Sequence, residues 1–147
     1  MNQKDKKVIE DFGKEWTRFT QVDSVSQNEL DQIYNGYFKI FPDALFSDKT
    51  KVGFDMGCGS GRWAKFIAPK VEKLLCVDAS SEALVVARKN LNEYSSCNFV
   101  CSTAEDFNVP EESMDFGYSL GVLHHVTDTQ ESLNNCVSKL KKGAPFL

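Results

Sequence analysis

The sequence predicts an α/β fold built on a doubly wound, mostly parallel β-sheet. Over residues 50–147, short apolar runs alternate with amphipathic stretches, as is typical of strands joined by crossover helices. The apolar run that begins at Val52 breaks into a glycine-rich turn, and the run that begins at Leu74 ends at Asp78. Ligands of doubly wound proteins bind at strand ends of this kind.

The strands and helices alternate in the order that such a sheet requires. Five strands are expected, at about 51–56, 73–77, 98–102, 115–120 and from Phe146 onward. Three helices are expected between them, at about 61–69, 81–92 and 128–141. Pro69 should stop the first of these helices, and Gly143 should close the third.

Helix starts are indicated by capping residues. Ser80 or Ser81 is the expected N-cap of the second helix, whose apolar residues fall on one face. For the third helix, Thr127 with Gln130 and Asp128 with Glu131 both offer a capping box.

The glycine turn after the first strand is the most informative motif. Gly57, Gly59 and Gly61 are spaced G-x-G-x-G, and glycine lets the backbone come close to a ligand because it has no Cβ and tolerates positive φ. A helix-like run follows from Arg62, so free N–H groups are expected to point out of the loop. A nucleotide-like ligand is favoured over a turn that serves only to join strand and helix.

The spacing of the glycines narrows the class of ligand. Dinucleotide sites favour G-x-G-x-x-G, but Arg62 stands where the third glycine would be, and no G-K-S/T follows to form a P-loop. Asp55 adds a negative charge that suits an ammonium group better than a pyrophosphate. S-adenosylmethionine fits, because it carries an amino-acid end, a sulfonium, a ribose and an adenine, but no phosphate.

The run from Asp55 to Gly61 resembles the first motif of class I S-adenosylmethionine-dependent methyltransferases. The resemblance continues in the family's order through residues 74–78, 104–106, 113–119, 121–126 and 140–147. It implies a Rossmann-like sheet for residues 50–147, with S-adenosylmethionine as cofactor. Relatives close this sheet with an antiparallel hairpin that the sequence lacks, so the chain is expected to be a fragment or truncated product that stops after strand five begins.

Residues 1–49 are predicted to form a separate helical and aromatic cap. One aromatic cluster runs from Phe12 to Phe19 and a second from Tyr34 to Phe41. In the family, such extensions often lie over the cofactor and shape the acceptor pocket. The alternative is that these aromatic side chains only pack on the sheet domain.

The resemblance implies roles for the residues at the ends of the first two strands. Asp78 would accept hydrogen bonds from both ribose hydroxyls, with Ala79 beside the adenine; alternatively, Asp78 only partners the dipole of the next helix. The glycine loop, including Cys58, would cradle the methionine end through its backbone. Asp55 would hold the ammonium group, directly or through water; alternatively it is a buried acid satisfied by loop N–H groups, and both can hold together.

Ala104 and Glu105 are expected at the adenine, although Thr103 stands where relatives often carry an acid. Ser119, at the end of the fourth strand, is expected beneath the sulfonium. No metal site is predicted, because Ser119 replaces the metal-binding aspartate of catechol-type relatives.

His124 and His125 lie just beyond the fourth strand and are the candidate catalytic residues. A histidine with a pKa near neutrality could remove the proton of the methyl acceptor. A packing or hydrogen-bonding role is the alternative for either side chain.

The composition indicates which kinds of partner and which cellular compartment to expect. The net charge is −4 and no Lys/Arg run exceeds two residues, which argues against nucleic acid as a partner. The sequence contains no apolar stretch of membrane-spanning length, and its N-terminus is too polar to open a signal peptide. The five cysteines include no C-x-x-C pair, which favours a cytoplasmic protein.

The predicted function is methyl transfer to a small-molecule acceptor by in-line displacement, a reaction in which orientation is most of what a protein contributes. Two alternatives stay open. One is a non-catalytic module that binds S-adenosylmethionine, and the other is a nicotinamide-dependent oxidoreductase, against which Arg62 argues.

Overall fold

The computed structural model describes residues 26–147. Its sheet has the strand order β3–β2–β1–β4, and all three strand pairs are parallel. The strands are β1 (Val52–Met56), β2 (Lys73–Asp78), β3 (Cys97–Cys101) and β4 (Phe116–Tyr118). A parallel bridge between Gly117 and Phe146 places the start of the expected fifth strand beside β4. The predicted parallel, Rossmann-like α/β fold is confirmed.

The described helices are α1 (Gln27–Phe38), α2 (Ala64–Ile67), α3 (Ser81–Asn90) and α4 (Thr129–Ser138). Short 3₁₀ helices lie at Asp43–Phe46, Ala68–Lys70 and Leu123–His125. The structure decides between the alternative caps: Ser80 accepts the N–H of Ala83 at 3.2 Å, and Asp128 accepts the N–H of Glu131 at 2.8 Å.

The helix after the glycine turn is shorter than predicted. A helix was expected over 61–69, but residues 61–63 form turns and α2 has four residues. Gly61 has φ +84°, outside the helical region, and Pro69 lies in the 3₁₀ helix that follows. A single turn has little macrodipole, so a helix N-terminus adds little to ligand binding here.

Both faces of the sheet are buried along β1, β2 and β4, as is typical of parallel sheets, whereas the edge strand β3 is partly exposed. Alternate residues of β1 point to opposite faces, so Phe54 joins one cluster with Phe107 and Cys136, and Asp55 faces the other. That second cluster is covered by α1, α2 and α3 and contains Tyr34, Phe38, Ile67, Leu84, Cys76 and Tyr118.

The second aromatic cluster of the N-terminal region packs on the sheet. The ring of Phe38 lies 5.1 Å from that of Tyr118, and the ring of Phe41 lies 6.1 Å from that of Phe116, between centroids. The first cluster, from Phe12 to Phe19, lies outside the described residues, and a cap over the acceptor pocket stays a prediction. Among the helices of residues 26–147, none has the length and apolar character needed to cross a membrane.

Candidate functional site

The glycine loop crosses the carboxyl end of β2. The N–H groups of Gly57 and Cys58 both donate to the carbonyl of Val77, at 2.8 and 2.9 Å. The N–H of Gly61 donates to the carbonyl of Cys58 at 2.9 Å and closes the turn. The side chain of Cys58 is buried beneath the loop. The loop is therefore fastened to the sheet, and Cys58 can meet a ligand only through its backbone.

Asp78 ties the glycine loop to the start of α3. Its Oδ2 accepts the N–H of Gly59 and its Oδ1 accepts the N–H of Ser80, both at 2.9 Å. Burial raises the pKa of Asp78, and the backbone hydrogen bonds from Ser80 and Gly59 oppose that rise. Each carboxylate oxygen can accept a second hydrogen bond. The partly exposed side chain thus retains capacity to accept further hydrogen bonds, and its role at a ribose stays a prediction.

Asp55 is buried below the loop with a relative exposure of 2%. In the register of the sheet, Asp55 lies beside Cys76 of β2 and Tyr118 of β4. Within the described part of the chain, neither Asp55 Oδ2 nor the Tyr118 hydroxyl makes a hydrogen bond of good geometry, although the two groups are close enough for the hydroxyl to affect the pKa of Asp55. A buried polar atom without a partner is costly, so Asp55 suits a ligand that brings a donor.

The environment of Asp55 favours its protonated form. Burial raises its pKa to about 8; the adjacent Tyr118 hydroxyl opposes this rise, and the negative charge of Asp78 adds to it. Four of the loop N–H groups donate to atoms other than the Asp55 carboxyl group. The N–H groups of Gly57, Cys58 and Gly61 donate to carbonyls, and that of Gly59 donates to Asp78.

The segment after β4 packs directly on the glycine loop. Gly57 has φ +78°, and a Cβ built on it would overlap both methyl groups of Val122. Ser119 joins the same corner, because its hydroxyl donates to the carbonyl of Met56 at 2.9 Å. The ends of β1 and β4 are thereby held together, which brings Ser119 beside the loop; its place beneath a sulfonium stays a prediction.

Replacing Gly57 with alanine should lower the free energy of unfolding by about 2–5 kcal/mol, because left-handed strain of about 1–2 kcal/mol adds to overpacking of about 1–3 kcal/mol. Gly121→Ala is the matched control, since Gly121 has φ +76° with nothing within 4 Å of a built Cβ. We expect Gly121→Ala to lower the free energy of unfolding only by the left-handed strain of about 1–2 kcal/mol. Urea unfolding of both variants measures the difference, and equal losses would contradict a role for Val122.

Ala104 and Glu105 lie in the segment that follows β3. This segment begins at Ser102, whose N–H donates to the Asp78 carbonyl at 3.0 Å. Ala104 is buried and Glu105 is exposed. The hydroxyl of Thr103 donates to Asp106 at 2.9 Å and accepts the N–H of Asp106 at 3.1 Å, so Thr103 shapes a local turn.

His124 and His125 occupy the 3₁₀ helix after β4. Both side chains are exposed, and their ring centroids lie 3.8 Å apart. The N–H of His125 donates to the carbonyl of Val122 at 2.9 Å, which links this helix to the residue that covers Gly57. The two rings therefore lie at the same edge of the sheet as the glycine loop.

Three residues of this corner were not identified from the sequence: Val122 on Gly57, Tyr118 beside Asp55, and Asn135, whose amide contacts the Ala104 segment. Each lies more than 30 residues along the chain from its partner. Tyr118 alone could have been inferred, because strand register places it opposite Asp55 once β1 and β4 are known to pair.

The model of the methyltransferase domain family matches residues 54–147. The chain is 30% identical over 95 residues to the uncharacterized methyltransferase YcgJ of Bacillus subtilis, covering 63% of this chain and 38% of that protein. It is 27% identical over 143 residues to a ubiquinone biosynthesis O-methyltransferase of Vibrio vulnificus, covering 93% of this chain and 57% of that protein.

Solved structures share the fold. The N-methyltransferase NodS of Bradyrhizobium japonicum, in complex with S-adenosylhomocysteine, matches with a TM-score of 0.73 and 17% identity over 90% of this chain and 67% of its own. The structure of B. subtilis YcgJ matches with a TM-score of 0.68 and 23% identity, over 82% of this chain and 49% of its own. The chain thus spans 38–67% of the lengths of these proteins.

Proposed function

This chain belongs to the methyltransferase domain family, and we propose that it binds S-adenosylmethionine and transfers the methyl group to a small-molecule acceptor. The observation that carries the proposal is Asp78, a partly exposed carboxylate at the end of β2 that holds the glycine loop and retains capacity to accept two hydroxyl groups. The cofactor supplies an electrophilic methyl group on a sulfonium, whose thioether leaves readily.

The residues at the strand ends suit the parts of this cofactor. Asp78 would accept the ribose hydroxyls, and Asp55 would receive the ammonium group as the donor that its Oδ2 lacks. Ala79, Ala104 and Glu105 would border the adenine. The glycine loop would meet the methionine end through its backbone, with Ser119 nearby.

A small molecule is the acceptor that we favour. The V. vulnificus relative, which matches 93% of this chain, is named for ubiquinone biosynthesis. The net charge of −4 also argues against a polyanionic acceptor such as nucleic acid. We propose a cytoplasmic location as well, because all five cysteines are free thiols.

His124 or His125 is the proposed base for an acceptor hydroxyl, because both lie exposed beside the loop that holds Ser119 and Val122. Replacing the histidine that acts as the base with glutamine should lower kcat by about 10²- to 10⁴-fold. Turnover should be measured on a panel of phenol, sugar and amine acceptors. Unchanged kcat in both single variants and in the double variant would contradict this role.

Calorimetric titration of S-adenosylhomocysteine and, separately, of NAD into the chain tests the proposed function, after circular dichroism has confirmed folding. We expect S-adenosylhomocysteine to bind and NAD not to bind. A folded chain that binds only NAD would overturn the proposal in favour of an oxidoreductase. Binding of S-adenosylhomocysteine without turnover on any acceptor would favour a non-catalytic binding module.

A further inference from the structure

We infer that Asn135 of α4 is a positioning residue for the adenine side of the cofactor site; this inference rests on the proposed function. Its Nδ2 lies 2.8 Å from the carbonyl oxygen of Ala104, 3.1 Å from that of Glu105 and 3.1 Å from that of Phe107. One side chain thus holds three carbonyls of the segment where the adenine is expected.

The chemistry of these contacts fixes the orientation of the amide. All three partners are carbonyl oxygens, which only accept hydrogen bonds, so the NH₂ group of Asn135 must face them and its oxygen cannot. Three acceptors share two amide hydrogens, so the segment folds around this one group. An aspartate has the same shape, but its carboxylate oxygen would face three carbonyl oxygens, and none of these groups can donate a hydrogen bond.

The same contacts set the direction of the peptide groups. Within a trans peptide the C=O and the N–H point in opposite directions. Because the Ala104 carbonyl points to Asn135, the N–H of Glu105 is turned away from α4. Backbone N–H groups held in this way provide directional donors for the ring nitrogens of a base.

Between its ends the segment makes few other hydrogen bonds to the described part of the chain, although Phe107 packs in the cluster that contains Phe54. Ser102 is joined to β2 through the Asp78 carbonyl, and the Thr103–Asp106 contacts are local. Ala104 and Phe107 are buried, whereas Glu105 and Asp106 are exposed. Loss of the Asn135 amide should therefore loosen residues 104–107 and leave Asp78 and the glycine loop in place.

A second asparagine provides a matched control on the other side of the site. Asn90, at the end of α3, donates through Nδ2 to the carbonyl of Ser60 at 3.0 Å. Ser60 belongs to the glycine loop, so Asn90 supports the loop expected at the methionine end. The two residues have the same side chain and make the same kind of contact at opposite ends of the proposed ligand.

The experiment compares two ligands that differ at one end. S-adenosylhomocysteine carries the amino-acid end, and methylthioadenosine lacks it. We expect Asn135→Ala to weaken both by the same factor, about tenfold, since a net hydrogen-bond loss of about 1.4 kcal/mol changes Kd tenfold. Asn135→Asp should weaken both ligands at least as much as Asn135→Ala does. Asn135→Ser keeps one hydrogen-bond donor and should weaken them less. Asn90→Ala should weaken S-adenosylhomocysteine more than methylthioadenosine.

Circular dichroism and urea unfolding identify variants that are folded, and Asn135→Ser carries the test if Asn135→Ala does not fold. Equal Kd values for the wild type and a folded Asn135→Asp variant would overturn the inference. So would a loss confined to S-adenosylhomocysteine, because that pattern indicates an effect at the methionine end of the ligand. If the wild type binds neither ligand, the proposed function itself has failed, and the adenine-side role fails with it.

Discussion

Replacing Asp78 with alanine should weaken the binding of S-adenosylhomocysteine by about a hundredfold or more. Hydrogen bonds to a charged group contribute about 1.5–3 kcal/mol each, and two ribose hydroxyls would lose theirs together. Each 1.4 kcal/mol changes Kd tenfold. The variant also frees the N–H groups of Gly59 and Ser80, which now hold the loop and the start of α3. Calorimetry on the folded variant measures the loss.

Two further variants separate the ribose contact from the loop contacts of Asp78. Asp78→Asn keeps the shape of the side chain and one acceptor oxygen, but its NH₂ group faces one of the two backbone N–H donors. We therefore expect an intermediate loss of affinity for S-adenosylhomocysteine. Asp48→Ala removes an exposed carboxylate that accepts from Thr50 before the start of β1, and should leave Kd within twofold. Wild-type affinity in Asp78→Ala would contradict the ribose role.

The parts of the site that the sequence predicted are those encoded over a few neighbouring residues. An apolar run that ends in glycines or in Asp78 specifies a strand and its end together, so the sheet and the glycine loop could be placed without a structure. The same holds for the N-cap Ser80, which lies next to the helix that it begins.

The parts that could not be predicted depend on backbone conformation or on distant contacts. Helix-like spacing after Gly61 did not reveal the positive φ of that glycine, which delays α2 to Ala64. The environment of Asp55 depends on the register of β1 against β4, which places Tyr118 beside it. Asn135 reaches the Ala104 carbonyl across 31 positions of sequence, and no spacing rule connects them.

Replacing Asp55 with asparagine should stabilise the folded chain at high pH. Burial raises the pKa of Asp55 from 3.8 to about 8, so between these values the folded state holds a proton that the unfolded chain has released. The stability that this proton contributes is complete below pH 4 and is lost as the pH rises through 8. Asparagine does not titrate, so the stability of the variant relative to wild type should grow by up to about 1.4 kcal/mol per pH unit across this window. Urea unfolding at pH 5, 7 and 9 measures it.

The same substitution should weaken cofactor binding, because an ammonium group needs the ionised carboxylate. Below pH 8 the wild type must release the Asp55 proton to bind, so its affinity for S-adenosylhomocysteine should rise between pH 6 and pH 8 and then level off. Methylthioadenosine has no ammonium group and should show no such rise, and Asp55→Asn should remove it for S-adenosylhomocysteine. An equal pH dependence in variant and wild type would assign the titration to another group. If both effects are observed, the carboxylate at this position costs stability in the free protein and is retained for the ligand that it binds.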